Sequence, residues 1–194
     1  MRARAYPVLV VLASLGLLLF SVPRLQKGMN DFPADGIVDW KGAVMWFHGL
    51  SPYSPEALED LGFSTYGHPP TTSFWFLPLA HLEQTKFSSV LGFFMMLILL
   101  AHLLTLALEL RVPRPHLHTV FVFALVMASS WFGLHLALAQ ISELIAFFYL
   151  LAWLQLRRGR DLEAGMALGL ATTLKLFPGL VLVFFLIARR PRVI

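Results

Sequence analysis

Apolar residues in this chain are gathered into long blocks that short polar stretches separate. The first block runs from Pro7 to Val22, and later blocks cover 86–110, 118–138, 141–156 and 162–188. Long apolar blocks without amphipathic spacing are typical of bilayer-crossing helices, which need about 20 apolar residues. The pattern therefore predicts an all-α fold, a polytopic membrane helix bundle.

Two segments depart from a plain crossing. Residues 71–82 are apolar and aromatic but too short to span, which predicts a re-entrant or interfacial helix. In the last block, Lys175-Leu176-Phe177-Pro178 interrupts the apolar run, and proline breaks a helix interior. Because both flanks are basic, we prefer two half-helices folded back as a hairpin. One broken crossing of 162–188 is the alternative.

A long polar stretch from Pro23 to about Pro70 follows the first block. Within it, the segment 38–47 is apolar enough for a short helix. Ser54-Pro55 has the residues of a helix start, and Gly62 those of a helix end. The sequence thus predicts a loop over 23–70 that carries two short helices on the membrane surface.

Charge placement orients these elements. Arg2 and Arg4 precede the first block, and further arginines follow later blocks at 111, 114, 157, 158 and 160. Basic residues mark cytoplasmic loops, so we predict a multi-pass protein of the cell membrane with a cytoplasmic amino terminus and an extracytoplasmic long loop. No small-x-small site follows the first block, which favours an uncleaved span over a signal peptide. Ala139-Gln140 becomes a tight outer turn.

Composition supports this picture. The 194 residues are 58% hydrophobic, with a mean hydropathy of +0.73, more apolar than a soluble domain of this size. The net charge of +4 is explained by the orientation signals, so no nucleic-acid partner is expected. The chain has no cysteine, which excludes disulfides and thiolate metal sites.

Two acids of the loop are candidates for catalysis. Asp35 and Asp39 are four residues apart and share a face if the segment is helical. A carboxylate just outside the membrane can act as general base towards a sugar hydroxyl. A solvated acidic loop is the alternative.

Four further polar residues are candidates for binding: His68 beside Pro69-Pro70, Gln140 and Glu143 on one face at an outer helix start, and Lys175 at mid-membrane. The alternatives are a turn histidine, helix capping and a snorkelling lysine. A lysine in a cavity is suited to bind a lipid-linked phosphate. The sequence shows no metal-ligand cluster, and no metal or cofactor is expected.

In this order the motifs resemble glycosyltransferase family 87, the polyprenyl-phosphate-mannose-dependent α-mannosyltransferases among the GT-C membrane enzymes. The matching residues are Asp35, Trp40, Ala43, Gly49, Pro52-Tyr53, Tyr66, Pro69-Pro70, Pro78-Leu79, Gln140, Lys175 and Pro178. The resemblance covers about residues 31–192. It has two departures, Ala139 where the family has glycine and Asp39 where the family more often has an aromatic residue.

The resemblance implies a transferase that moves a mannose-like sugar from a polyprenyl-phosphate donor to a lipid or glycan acceptor outside the cytoplasmic membrane. Asp35 would be the base, with Asp39 the second choice. Tyr53, His68, Gln140, Glu143 and Lys175 would bind donor or sugar. It also implies that residues 1–194 are a partial, amino-terminal piece of a GT-C-like transmembrane domain.

Other classes of function stay open at this point. Broken helices and charges within the membrane also occur in transporters, and the chain could be a scaffold subunit of an envelope complex. A truncated remnant without activity is the third hypothesis. No inverted repeat is apparent, which argues against a transporter.

Overall fold

The computed structural model describes residues 2–30, 35–55, 59, 69–187 and 193, and it describes only the backbone of residues 2–5, 24–30, 35 and 137. Every regular element within these ranges is helical, which confirms the all-α prediction. In chain order the elements are α1 (Arg2–Asn30), α2 (Asp35–Phe47), α3 (Pro70–Phe76), a 3₁₀ turn (Leu77–Leu79), α4 (Gln84–Glu109), α5 (Pro115–Ala128), α6 (Ser130–Ala137), α7 (Ser142–Arg157), α8 (Asp161–Leu174) and α9 (Gly179–Ile187).

The chain divides into two compact units. Unit 1 comprises Met1–Ala34 and Ser88–Gln140, and unit 2 comprises Asp35–Phe87 and Ile141–Ile194. Large apolar side chains stay exposed on each unit, among them Leu19 at 74% and Ile187 at 76%. Apolar surface of this kind is typical of side chains that face lipid.

Helix α1 opens unit 1 and contains the first predicted span. Its segment Tyr6–Pro23 is long and apolar enough to cross a bilayer. The helix is longer than the apolar block, because α1 continues through Pro23 to Asn30. The residues of 24–30 are mostly good helix formers, so the helix persists beyond the proline that the sequence suggested as its end.

Helix α4 confirms the span predicted over 86–110, since it is continuous, apolar and 26 residues long. The next predicted crossing, 118–138, is not one straight helix. It is split into α5 and α6, which meet at Ser129 with a bend of 75°. Ser129 is extended (φ −72°, ψ 142°). Its hydroxyl accepts the N–H of Phe132 at 3.2 Å and donates to the Val126 carbonyl at 2.6 Å, so one side chain ends α5 and caps α6.

Unit 2 is built around the helical hairpin of α7 and α8. Gly159 turns the chain between them at φ +70°, a conformation that glycine adopts without steric cost. The buried cluster consists mainly of small residues, which allow the two helices to approach closely. Its members are Ala152, Ala164, Ala167, Leu168 and Val193.

The last block is broken where the sequence predicts. Helix α8 ends at Leu174, and α9 begins at Gly179. Side chains of α9, among them Phe185, pack against the buried cluster of unit 2. A Cβ built on Gly165 would collide with the carbonyl group of Val193, so the chain returns to the first turns of α8. Helix α9 therefore folds back along α8, as in the hairpin of two half-helices that the sequence favours over one broken crossing.

The shorter predicted elements are present where the structure describes them. Helix α2 covers the first loop helix and begins earlier than predicted, at Asp35. Pro55 and Glu59 have helical backbone, and Gly62 lies outside the described residues. Helix α3 and the 3₁₀ turn occupy the short apolar segment predicted over 71–82.

Candidate functional site

Helix α2 carries both acidic candidates. Its helical backbone places the positions of Asp35 and Asp39 one turn apart on one face, as predicted. Asp39 is buried, with 3% of its surface exposed. The side chain of Asp35 lies outside the described residues. A solvated acidic loop therefore does not describe Asp39, which sits on a packed helix.

The segment after α2 brings Tyr53 back to Asp39. Gly49 ends the helix with φ +74°, and the Leu50 N–H donates to the Met45 carbonyl at 2.9 Å, as at many glycine-terminated helices. Burial raises the pKa of the Tyr53 phenol above its ordinary value, and the negative charge of Asp39 raises it further. Both causes disfavour tyrosinate. Tyr53 thus stays a neutral hydroxyl beside the buried carboxylate.

Trp40 fixes α2 against the elements that follow it. Its indole N–H donates to the carbonyl oxygen of Leu79 at 3.3 Å. Its ring stacks on Phe87, with ring centroids 5.5 Å apart. Phe87 is fully buried, and its edge also meets Phe76 at 5.5 Å. Helix α2, which carries Asp39, is therefore held in place by an aromatic cluster and by the hydrogen bond from Trp40 to Leu79.

Helix α3 is tied to the end of α8 by two hydrogen bonds. The Thr72 hydroxyl donates to the Leu174 carbonyl oxygen at 2.8 Å. The Trp75 indole N–H donates to the Thr173 hydroxyl at 3.0 Å. In a continuous helix the Leu174 carbonyl would accept from residue 178, but that residue is Pro178 and has no N–H. Thr72 supplies the donor that the proline removes.

A groove lies between α3 and α8 beside these bonds, with a volume of about 440 Å³. Its walls are almost entirely apolar, and they include two threonines. The lining residues are Thr71, Phe74, Trp75, Pro78, Leu170 and Thr173. The groove has the surface chemistry of a binding site for an apolar chain.

Lys175 directly follows this groove in the chain. Its backbone is extended (φ −146°, ψ 145°), and its N–H still donates to the Ala171 carbonyl at 3.2 Å. The side chain is half-buried. The helix break therefore places a cationic residue two positions after Thr173 in the wall of the groove.

Three other candidates are less closely tied to this arrangement. His68 lies outside the described residues. Gln140 is the last residue of unit 1, whereas Glu143 belongs to unit 2. The prediction that both share a helix face is wrong, because α7 begins at Ser142 and Gln140 precedes it. Glu143 lies in the first turn of α7, where a carboxylate suits the helix dipole.

The turn before Gln140 is formed as predicted, with Ala139 in the left-handed region at φ +46°. This is the position where the family pattern has glycine, and the backbone explains that preference, since glycine adopts positive φ without a Cβ clash.

Sequence reasoning missed Thr72 and Trp75 as parts of the site. Each bonds to a residue about 100 positions later in the chain, and no local pattern reveals such a pairing. One signal was available: Pro178 leaves the Leu174 carbonyl without its helical donor, so a buried polar partner had to be found elsewhere.

A comparison with models of protein families matches residues 66–194 to the model of glycosyltransferase family 87. The matched part contains α3, α8, the groove between them and Lys175, and it begins after Asp35, Asp39 and Tyr53. No curated protein and no solved structure matches this chain.

Proposed function

The chain belongs to glycosyltransferase family 87 and is a membrane glycosyltransferase, and we propose that its donor is a polyprenyl-phosphate sugar of the mannose type. The acceptor is a hydroxyl group of a lipid or glycan, and the reaction takes place on the outer side of the cell membrane. The bilayer supplies the donor laterally, so the site opens towards lipid.

The observation that carries this proposal is the groove of unit 2 with Lys175 next to it in the chain. A polyprenyl phosphate combines an apolar tail with an anionic head, and an apolar groove followed by a cation has the matching order. The tail lies along Phe74, Trp75 and Leu170. Lys175 binds the phosphate and stabilises the charge that the leaving phosphate develops, which a lysine does as a compact point charge.

In the proposed reaction Asp35 is the general base. It takes the proton of the acceptor hydroxyl, the hydroxyl oxygen bonds to the anomeric carbon, and the bond from that carbon to the phosphate oxygen breaks. The polyprenyl phosphate leaves with the electron pair. Asp39 is the alternative base, but a carboxylate with 3% of its surface exposed is poorly placed to meet an acceptor. We assign it the positioning of α2 and Tyr53.

The remaining candidates contribute to donor binding in this proposal. Tyr53 is a neutral hydroxyl that can donate to a sugar oxygen. His68, Gln140 and Glu143 contribute further hydrogen bonds to the donor sugar or its phosphate. These four side chains adjust specificity, whereas Asp35 and Lys175 carry the chemistry.

The test uses the full chain in liposomes that contain a polyprenyl-phosphate mannose with a labelled sugar and a membrane lipid extract as acceptor. We expect Asp35→Asn to lower kcat by about 10²–10⁴, the usual effect of losing a general base. Asp39→Asn is the matched control, with the same loss of charge on the same helix, and should retain more activity. If Asp39→Asn abolishes transfer while Asp35→Asn remains fully active, the base assignment is wrong.

Lys175 is tested in the same assay. Lys175→Gln should raise KM for the donor and lower kcat, whereas Lys175→Arg keeps the charge and should retain part of both. If Lys175→Gln leaves both constants unchanged, the groove and the lysine do not hold the donor. Family membership would stand, and the proposed donor would not.

A further inference from the structure

A second cavity lies within unit 1, and none of the residues assigned to sugar transfer lines it. It has a volume of about 280 Å³ and is formed by the end of α4, the turn that follows and the start of α5. Its walls are almost wholly apolar. The lining residues are Leu103, Leu106, Ala107, Leu110, Val112, His118, Thr119 and Val122.

One polar group in the wall is without a partner. Thr119 has 4% of its surface exposed, and its hydroxyl oxygen makes no hydrogen bond within the part of the chain that the structure describes. A buried hydroxyl without a partner destabilises a protein by its desolvation. The hydroxyls of Thr72, which is buried, and Thr172, which is half-buried, each donate to a carbonyl oxygen. The exception at Thr119 points to a ligand that accepts a hydrogen bond.

Cationic residues stand at the turn of this cavity. Arg111 and Arg114 are exposed, and both have positive φ, at 53° and 51°. A non-glycine residue in this region costs energy, and two within four residues hold the turn in an unusual shape. Glu109 is the acidic residue nearby in sequence, so this turn keeps a net positive charge.

The amino terminus of α1 is joined to the same turn. The Tyr6 hydroxyl lies 3.0 Å from Nε2 of His118. The Arg114 guanidinium lies 6.0 Å from the centre of the Tyr6 ring. The positions of Arg2 and Arg4 precede Tyr6 on α1, so the chain has four arginines at this end of unit 1.

A cation, a hydroxyl group without a partner and an apolar side chain follow one another along α5. This is the order in which a phospholipid presents groups that could bind them. Arg114 stands just before α5, Thr119 is five residues further and Val122 eight, which correspond to about 8 and 12 Å along a helix. A glycerophospholipid presents an anionic phosphate, then ester carbonyls that accept hydrogen bonds, then an acyl chain. We propose that this cavity is a binding site for one anionic glycerophospholipid of the bilayer.

In this site Arg111 and Arg114 bind the phosphate, Thr119 donates to an ester carbonyl, and an acyl chain fills the apolar cavity. The bound lipid stabilises the contact between α1 and α5 and takes no part in sugar transfer. A cation near a bilayer surface attracts an anionic lipid by about 1 kcal/mol, equivalent to about fivefold in affinity for each arginine.

The test is native mass spectrometry of the full chain, released from nanodiscs of equal parts phosphatidylglycerol and phosphatidylcholine. We expect one retained phosphatidylglycerol, and about fivefold less retention for each of Arg111→Gln and Arg114→Gln. The control pair is Arg158→Gln and Arg160→Gln, each made singly, since both residues belong to another interhelical turn and each substitution also removes one positive charge. Equal loss in the control pair, or no preference for phosphatidylglycerol, would overturn the proposal.

Thr119→Val tests whether the lipid is bound in this cavity or is only attracted by the positive charge of the arginines. It keeps the shape and all four arginines, so insertion and orientation are unchanged. Without lipid, the variant should unfold at a slightly higher temperature, because the unbonded hydroxyl is gone. With lipid, its retention of phosphatidylglycerol should fall by about two- to tenfold, the effect of one hydrogen bond. Unchanged retention would mean that Thr119 does not contact lipid and that the proposed depth is wrong.

Discussion

Thr72 offers a direct test of how α3 holds the end of α8. Its hydroxyl donates to the Leu174 carbonyl, which Pro178 deprives of a helical donor. Thr72→Val keeps the branched shape and removes only the donor. The buried carbonyl oxygen is then left without a partner, immediately before Lys175.

The magnitude follows from this geometry. Thr72 is fully buried, and the bond of 2.8 Å is itself buried. Leaving a buried acceptor unsatisfied costs about 1–3 kcal/mol. For a chain of this length, 1 kcal/mol lowers the midpoint of thermal unfolding by about 2–4 °C. The middle of this range is about 2 kcal/mol. We therefore expect Thr72→Val to lower the midpoint of thermal unfolding by about 4–8 °C.

The assay is thermal unfolding in detergent micelles together with sugar transfer in liposomes. Thr172→Val is the matched control: its hydroxyl donates to the Leu168 carbonyl at 2.8 Å, which the helical N–H of residue 172 also serves. That variant should move the midpoint by less than about 2 °C, because no carbonyl loses its only donor.

Activity adds a second readout. A displaced Lys175 should lower kcat in Thr72→Val, since a shift of about 1 Å can cost about 10²-fold in rate. Thr72→Ser keeps the hydroxyl and should keep transfer, although it loses a buried methyl group. Equal effects of Thr72→Val and Thr172→Val on the midpoint would refute the role given to Pro178. Loss of transfer in Thr72→Ser would show that the methyl group, not the donor, positions the lysine.

Two further predictions concern other parts of unit 2. Asp39→Asn should lower the pKa of Tyr53 yet leave it above the ordinary value, because burial is the larger cause. The absorption of tyrosinate, followed against pH, measures this pKa. An unchanged pKa would mean that Asp39 and Tyr53 do not interact. Since the folded pKa is raised, the contribution of Tyr53 to stability is fully present below pH 10.0 and is lost as pH rises through the folded value. Gly165→Ala should destabilise the hairpin, because its Cβ meets the backbone of Val193, whereas Gly169→Ala has open space and should stabilise α8 by about 0.5–1 kcal/mol. Thermal unfolding compares the two, and a stable Gly165→Ala would contradict the return of the chain to α8.

Several parts of the fold follow from local sequence. Apolar blocks predict α1 and α4 because lipid requires about 20 apolar residues in one helix. Pro178 predicts the end of α8, since proline removes the N–H that continues a helix. A proline does not by itself predict the end of a helix, since α1 continues through Pro23. Ser129 breaks the predicted crossing because its side chain competes with the backbone for hydrogen bonds.

The sequence by itself determined that the chain is an apolar helical protein with a helix break before Pro178, and that acids, a tyrosine and a lysine are available for chemistry. Only the tertiary structure decided which of them meet. Asp39 is buried beside Tyr53. The Thr72 hydroxyl donates to the carbonyl of Leu174, which lies 102 residues later, at the end of the helix that precedes Lys175. Periodicity reports on neighbours within one helix, whereas these contacts depend on how one helix packs against the segments outside it.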